Sequence, residues 1–274
     1  MLLRRLGIRW RCVVGRGARG RQRRSASVVA SRPKPWGTIA AVGVVVLLAA
    51  VVFGYVYVRA AENRELAAAL EPFTPTEANP DPSTGIPGVV VREFEGANHV
   101  GAWQRVAYDA TPPFGGPHDQ SWAACDGVVY DEAIRVENVV HSLEHGAVWI
   151  AYHPDEVTGA DLDALRDRVR GENYLLMSPV PTLDAPISLQ SWGHQLKLDS
   201  ARDERIDQFI AALRTNRFTH PEVGATCGEL GPGRFDRDNP PPFDPTPPGP
   251  DALPMTGAGA GQDMPGAPAG EGTR

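Results

Sequence analysis

Four of the chain's seven histidines, His99, His118, His141 and His145, fall within one 47-residue segment. The densest run is His141-Ser142-Leu143-Glu144-His145. On a helix, the two histidines of that run stand one turn apart on one face, a spacing at which both rings reach one ion. Neutral imidazole suits zinc, copper, nickel and iron, and Glu144 beside them can ligate or hold an orienting hydrogen bond. The expected chemistry is therefore transition-metal binding, with copper or zinc as the cofactor. The ligands would be His118, His141 and His145, with His99 or Glu144 completing the shell. His153, His194 and His220 stand apart and read as surface or hydrogen-bonding residues.

The same five residues spell His-x-x-Glu-His, an inverzincin-type protease pattern. In that reading Glu144 is the general base, and a downstream carboxylate such as Glu222 is the third ligand. So short a pattern recurs by chance, and the helix stops early at Gly146, so hydrolysis is the weaker reading. A further alternative is a structural or interaction protein of the cell envelope, whose histidines form an internal hydrogen-bonded network. Ser142 and Ser191 lie near histidines without a Gly-x-Ser-x-Gly elbow. No Walker A loop or dinucleotide fingerprint is present. No residue is assigned as catalytic, and an enzyme is not the expectation. Pro112-Pro113-Phe114-Gly115-Gly116-Pro117-His118 combines stiff and permissive residues that can present His118 in a fixed place. Trp103, Trp122, Trp149 and Trp192 read as core, where large aromatics usually sit.

The elements around these residues set the compartment in which the chemistry would occur. Residues 1–34 are a basic tail: the first 58 residues hold ten arginines and Lys34 with no acid. That leaves 16 of the 27 basic residues against all 33 acids beyond Val58. A basic head on an acidic body excludes a nucleic-acid-binding domain, which would gather positive charge on its folded part. Residues 35–58 carry no charge and are long enough to span a bilayer as one helix. Trp36 lies at one end and Tyr55 and Tyr57 at the other, as interfacial aromatics do. With all eleven positive charges before the span, the N-terminus faces the cytoplasm and the body lies outside, a single-pass cell-membrane protein. The competing reading is a cleaved signal peptide, with Val58-Arg59-Ala60 near the cleavage site. The apolar run is longer than a usual h-region, which favours an anchor. In that oxidising compartment Cys125 and Cys227, with no Cys-x-x-Cys spacing, are expected to form a disulfide.

Residues 59–84 read as a linker, helical at first and then broken by Pro72, Pro75, Pro80 and Pro82. The folded domain is expected over 85–230. Residues 231–274, with 20 Gly or Pro among 44 residues, read as a disordered tail. Within the domain, Val89–Val91 is a candidate strand and 98–133 looks irregular. Asn138 is expected to cap a helix through His145, with Gly146 just beyond it. Ala147–Tyr152 reads as a buried strand. Thr158-Gly-Ala-Asp161 resembles a capping box before a helix that Gly171 stops. Tyr174–Met177 and Ile187–Trp192 read as strands, and Gly193 turns the chain into Leu196–Leu198. Ser200-Ala-Arg-Asp203 precedes a last helix with Ile206, Phe209, Ile210 and Leu213 on one stripe. The order α-β-α-β-β-α predicts an α+β sandwich with helices mainly on one face, thioredoxin-like or ferredoxin-like.

These runs, taken in order, resemble a known family. They are Asn98-His99-Val100, Pro112 to His118, Trp122, Cys125, Val129-Tyr130, Val140 through Ile150, Ser178-Pro179, Ser191-Trp192-Gly193 and Pro221-Glu222 with Gly224 and Cys227. From about 85 to 228 the chain is similar to a family of bacterial extracytoplasmic domains of unknown function, numbered 3105. The resemblance implies an N-terminal membrane anchor, an exported domain and a shared histidine site, since all four clustered histidines fall inside its motifs. It implies no activity, because the family has none assigned. Where the family has Cys-Gly-x-Tyr, this chain has Cys125-Asp126-Gly127-Val128-Val129-Tyr130, with extra residues.

Overall fold

The computed structural model describes residues 35–95 and 98–256. The expected basic tail, 1–34, and residues 257–274 lie outside the described residues. The chain divides into two compact units, Met1–Arg59 and Ala60–Arg274.

Helix α1, Trp36–Leu70, begins at the predicted span and continues through the Ala- and Glu-containing stretch after it. Its 35 residues rise about 52 Å, against about 30 Å of bilayer hydrocarbon. It is long and apolar enough to cross a membrane, and none of its apolar window is buried.

The second unit holds a mixed six-stranded sheet, with strands and helices numbered in chain order. Its spatial order is β1 (Val90–Val91), β9 (His194–Leu198), β8 (Ile187–Ser191), β6 (Val148–Tyr152), β7 (Leu175–Pro179), β5 (Asp126–Val129). β5, β7 and β6 run parallel, and β8, β9 and β1 continue the sheet antiparallel. The α+β class holds. Leu196–Leu198 belongs to a third consecutive strand, so the order after β6 is α-β-β-β-α. Strand β6 is buried on both faces, and its side chains alternate. Val148, Ile150 and Tyr152 join a core with α3 (Gly159–Val169) and α4 (Arg205–Leu213). Trp149 and Ala151 join a second core with α2 (Val136–Glu144), Cys125 and Cys227. Two helices therefore pack on one face and α2 on the other.

Several local expectations shift. Arg135, not Asn138, is the N-cap of α2. Asn138 lies inside the first turn, where its Nδ2 donates to Ser121 O at 2.7 Å. Thr158 is the N-cap of α3, but its side chain makes no capping hydrogen bond. The predicted stripe on α4 holds, with Ile206, Phe209 and Leu213 fully buried. Trp149 and Trp192 are core, Trp122 is half-buried, and Trp103 is exposed at 66%. The extra residues after Cys125 form a β-bulge in β5. Gly127 there has φ +85°, and a Cβ on it would fall 2.4 Å from Gly171 N. Only glycine lets the two segments approach that closely.

The expected linker is more structured than its prolines suggest. Pro72 and Pro82 sit in the first turns of 3₁₀ helices Glu71–Phe73 and Pro82–Gly85, where a missing N–H costs nothing. Asn216 Nδ2 donates to Pro80 O at 2.9 Å. The tail also departs from expectation over 231–256. Phe235 is fully buried, and Phe243 N donates to Ala133 O at 3.1 Å. Strand β10 (Leu253–Pro254) lies parallel to β3 (Val106–Ala107). Such a segment needs no core of its own when it can use another's.

Candidate metal centre

Three pieces of chain carry the clustered histidines. Short strands β2 (His99–Val100) and β4 (His118–Asp119) pair in parallel with His99 opposite His118, which brings those rings to 5.0 Å between centroids. The third piece is α2, whose last turn carries His141 and Glu144, with His145 at its C-cap. The His141 ring lies 5.0 Å from His99, 4.8 Å from His118 and 4.6 Å from His145. The four imidazoles form one contiguous group.

Loops fix these rings through backbone carbonyls. His118 Nδ1 is 2.8 Å from Gly116 O, His141 Nδ1 is 2.6 Å from Asp119 O, and His145 Nδ1 is 2.6 Å from Thr226 O. A carbonyl only accepts, so each Nδ1 donates, and in the neutral ring Nε2 is left with its lone pair. This is how proteins orient histidine ligands. The predicted Pro-Gly loop does hold His118. Phe94 packs where a Cβ on Gly115 would fall 2.3 Å from its ring, and Gln195 Nε2 donates to Pro112 O at 2.8 Å.

Ligand-type atoms converge in two overlapping groups. In the first, one atom each from His99, His118, His141 and Glu144 lies within 4.8 Å of the others. In the second, the same holds for His141, His145 and Glu222. Each could hold a metal ion. His118 and Glu144 are fully buried, and His118 Nε2 stands 2.8 Å from Glu144 Oε2. Two acceptor atoms that close repel unless a proton or a metal ion lies between or beside them. His99 Nε2 is also buried without a hydrogen-bond partner. Burial, reinforced by His118, pulls the His141 pKa down to about 3. Burial likewise lowers His99 and His145. Near neutral pH these three rings are uncharged, the form that ligates metal.

All five predicted site residues thus fall in this region, but not as one shell. His99 and Glu144 stand with His118 and His141, whereas His145 stands with His141 and Glu222. Glu222 Oε2 is 3.1 Å from His145 Nε2, with its side chain 40% exposed. Gly116, Asp119 and Thr226 act through backbone carbonyls, for which the sequence carries no signal. The other histidines are hydrogen-bonded. His220 Nδ1 is 3.1 Å from Glu144 O, and His194 bridges Trp192 O at 2.6 Å and Asp81 Oδ2 at 3.2 Å. Cys125 and Cys227 are disulfide-bonded, with Cα atoms 4.8 Å apart. The bond ties the segment bearing Glu222 and Thr226 to the one bearing His118.

Comparison with known proteins bears out the resemblance seen in the motifs. The family model described as "Protein of unknown function (DUF3105)" matches residues 99–229. Searches of curated proteins and of solved structures find no match.

Proposed function

We propose that this chain, which belongs through residues 99–229 to the family of unknown function DUF3105, is a single-pass membrane protein whose extracytoplasmic domain binds a divalent transition-metal ion. One observation carries the reading. His99, His118, His141 and Glu144 bring ligand atoms within 4.8 Å of one another in a buried site, with two of the rings pre-oriented by backbone carbonyls. Three nitrogens and a carboxylate oxygen, with no thiolate or thioether, suit zinc or copper(II) better than copper(I). The single carboxylate offsets part of a +2 charge, which limits the cost of burying the ion. The apolar α1, the basic residues before it and the disulfide support an anchored, exported domain. The parallel pair β6–β7, adjacent in the sheet, favours a thioredoxin-like over a split-βαβ arrangement.

The test is metal content by elemental mass spectrometry on the full chain in detergent, beside a His99→Ala variant. Near-stoichiometric zinc or copper in the native chain, much reduced in the variant, is expected. A native chain that stays metal-free after incubation with both ions would leave the histidines as a hydrogen-bonded core and favour a structural envelope protein.

A second reading, a metallohydrolase, draws on the grouping of His141, His145 and Glu222, the ligand set of the His-x-x-Glu-His pattern. Against it, Glu144 is fully buried beside His118, and its carboxylate stands with the inner ligands His99, His118 and His141. Glu144 acts better as ligand than as base.

A further inference from the structure

Both groups use His141, and His141 has only one nitrogen to offer. Its Nδ1 is committed to Asp119 O at 2.6 Å, so an ion in either group takes Nε2, and the two groups cannot be filled together. They also differ in depth. His118 and Glu144 of the inner group are fully buried. In the outer group the Glu222 side chain is 40% exposed, beside a His145 ring that is nearly covered. The outer group thus steps from solvent to His141 through one carboxylate and one imidazole.

Resting on the metal-binding reading above, we propose that the two groups are successive positions of one ion. Glu222 and His145 capture a hydrated divalent cation at the surface, and His141 passes it inward to His99, His118 and Glu144. The shared ring lets ligands exchange one at a time, so the ion is never stripped of water all at once. Trp122 packs against both outer rings, with centroids 4.8 Å from His145 and 5.6 Å from His141, and holds their planes. The outer position is built into the fold. Glu222 N donates to Glu144 O at 3.2 Å, and Thr226, whose carbonyl orients His145, adjoins the disulfide-bonded Cys227. An exposed charge at the mouth of a site acts mainly on the rate of arrival.

Cobalt(II), whose visible absorption reports coordination, tests this on the full chain in detergent, stripped with EDTA and compared with Glu222→Gln. The exposed, near-isosteric side chain leaves the fold intact. The native chain should bind one cobalt ion. The variant should reach the same final absorbance but load about tenfold more slowly, and release the ion to EDTA more slowly by a similar factor, so the saturation curve does not move. An unchanged loading rate, a weakened equilibrium affinity, or two ions per native chain would each overturn the relay and leave the metal site standing. A native chain with no cobalt absorption would overturn the relay together with the metal-binding reading.

Discussion

His141 is the residue on which the site turns, and it was prepared by burial. With its pKa pulled from 6.5 to about 3, the sign of its effect on stability is fixed. As pH falls below 6.5 the unfolded chain takes up a proton that the folded chain refuses, so stability is lost progressively toward pH 3. His99 and His145, lowered in the same direction by burial, add to it. The metal-stripped protein should therefore lose stability steadily between pH 6.5 and 4, by up to about 1.4 kcal/mol per pH unit for His141, read as a falling melting temperature. A bound ion competes with those protons, so the loaded protein should keep its melting temperature to lower pH. Melting curves with and without EDTA across that range check both. His99 gives a second residue-level prediction. It is half-buried and joins the shell from β2 alone, so His99→Ala should weaken metal affinity by at least tenfold with little loss of fold. Chelator competition measures this. A native-like affinity would remove His99 from the shell.

At the scale of elements, the site depends on three backbone arrangements that side-chain patterns describe unequally. The last turn of α2 was legible, because His141, Glu144 and His145 lie at helical spacing and Gly146 stops the helix. Gly146 has φ +91°, and a Cβ there would fall 2.7 Å from His220 Nε2. Gly146→Ala combines a left-handed strain with a clash and should cost about 1–3 kcal/mol, read as a lower denaturation midpoint with the metal removed. The β2–β4 bridge was not legible. Two-residue strands carry no periodicity, and nothing in the sequence says that His99 faces His118. The outer wall was half legible. Glu222 was visible as a downstream carboxylate, but its pairing with His145 depends on a loop held by the Cys125–Cys227 bond across 102 residues. Replacing both cysteines by serine should cost about 2–5 kcal/mol. It should also slow metal loading more than it lowers the number of ions bound, since the loosened loop carries the outer ligand and the carbonyl behind His145. Cobalt loading under refolding-permissive conditions separates the two effects.

Across the whole molecule, the sequence separated an apolar helix from an acidic body but misjudged the margins of that body. Composition marks a segment that cannot build a core, yet says nothing of whether it borrows one. The prolines near 72 and 82 open short turns against the domain, and the Pro-rich segment over 231–256 packs on the same unit. Arg105 joins Asp244 at 3.0 Å, Leu253 N donates to Arg105 O at 2.8 Å, and Phe235 is fully buried in the core that also holds the disulfide. A disordered tail would be dispensable, whereas residues 231–256 pack as part of the fold. Removing residues 231–274 should therefore lower the melting temperature of the exported unit and weaken metal binding, because the core behind α2 loses a wall. Phe235→Ala isolates the main contact: a fully buried phenylalanine replaced by alanine costs about 3–5 kcal/mol, against little for Pro248→Ala on the exposed stretch. Thermal melts of the two variants in the same detergent decide it. A Phe235→Ala melt that overlays the native curve would return the segment to the status of a solvated tail.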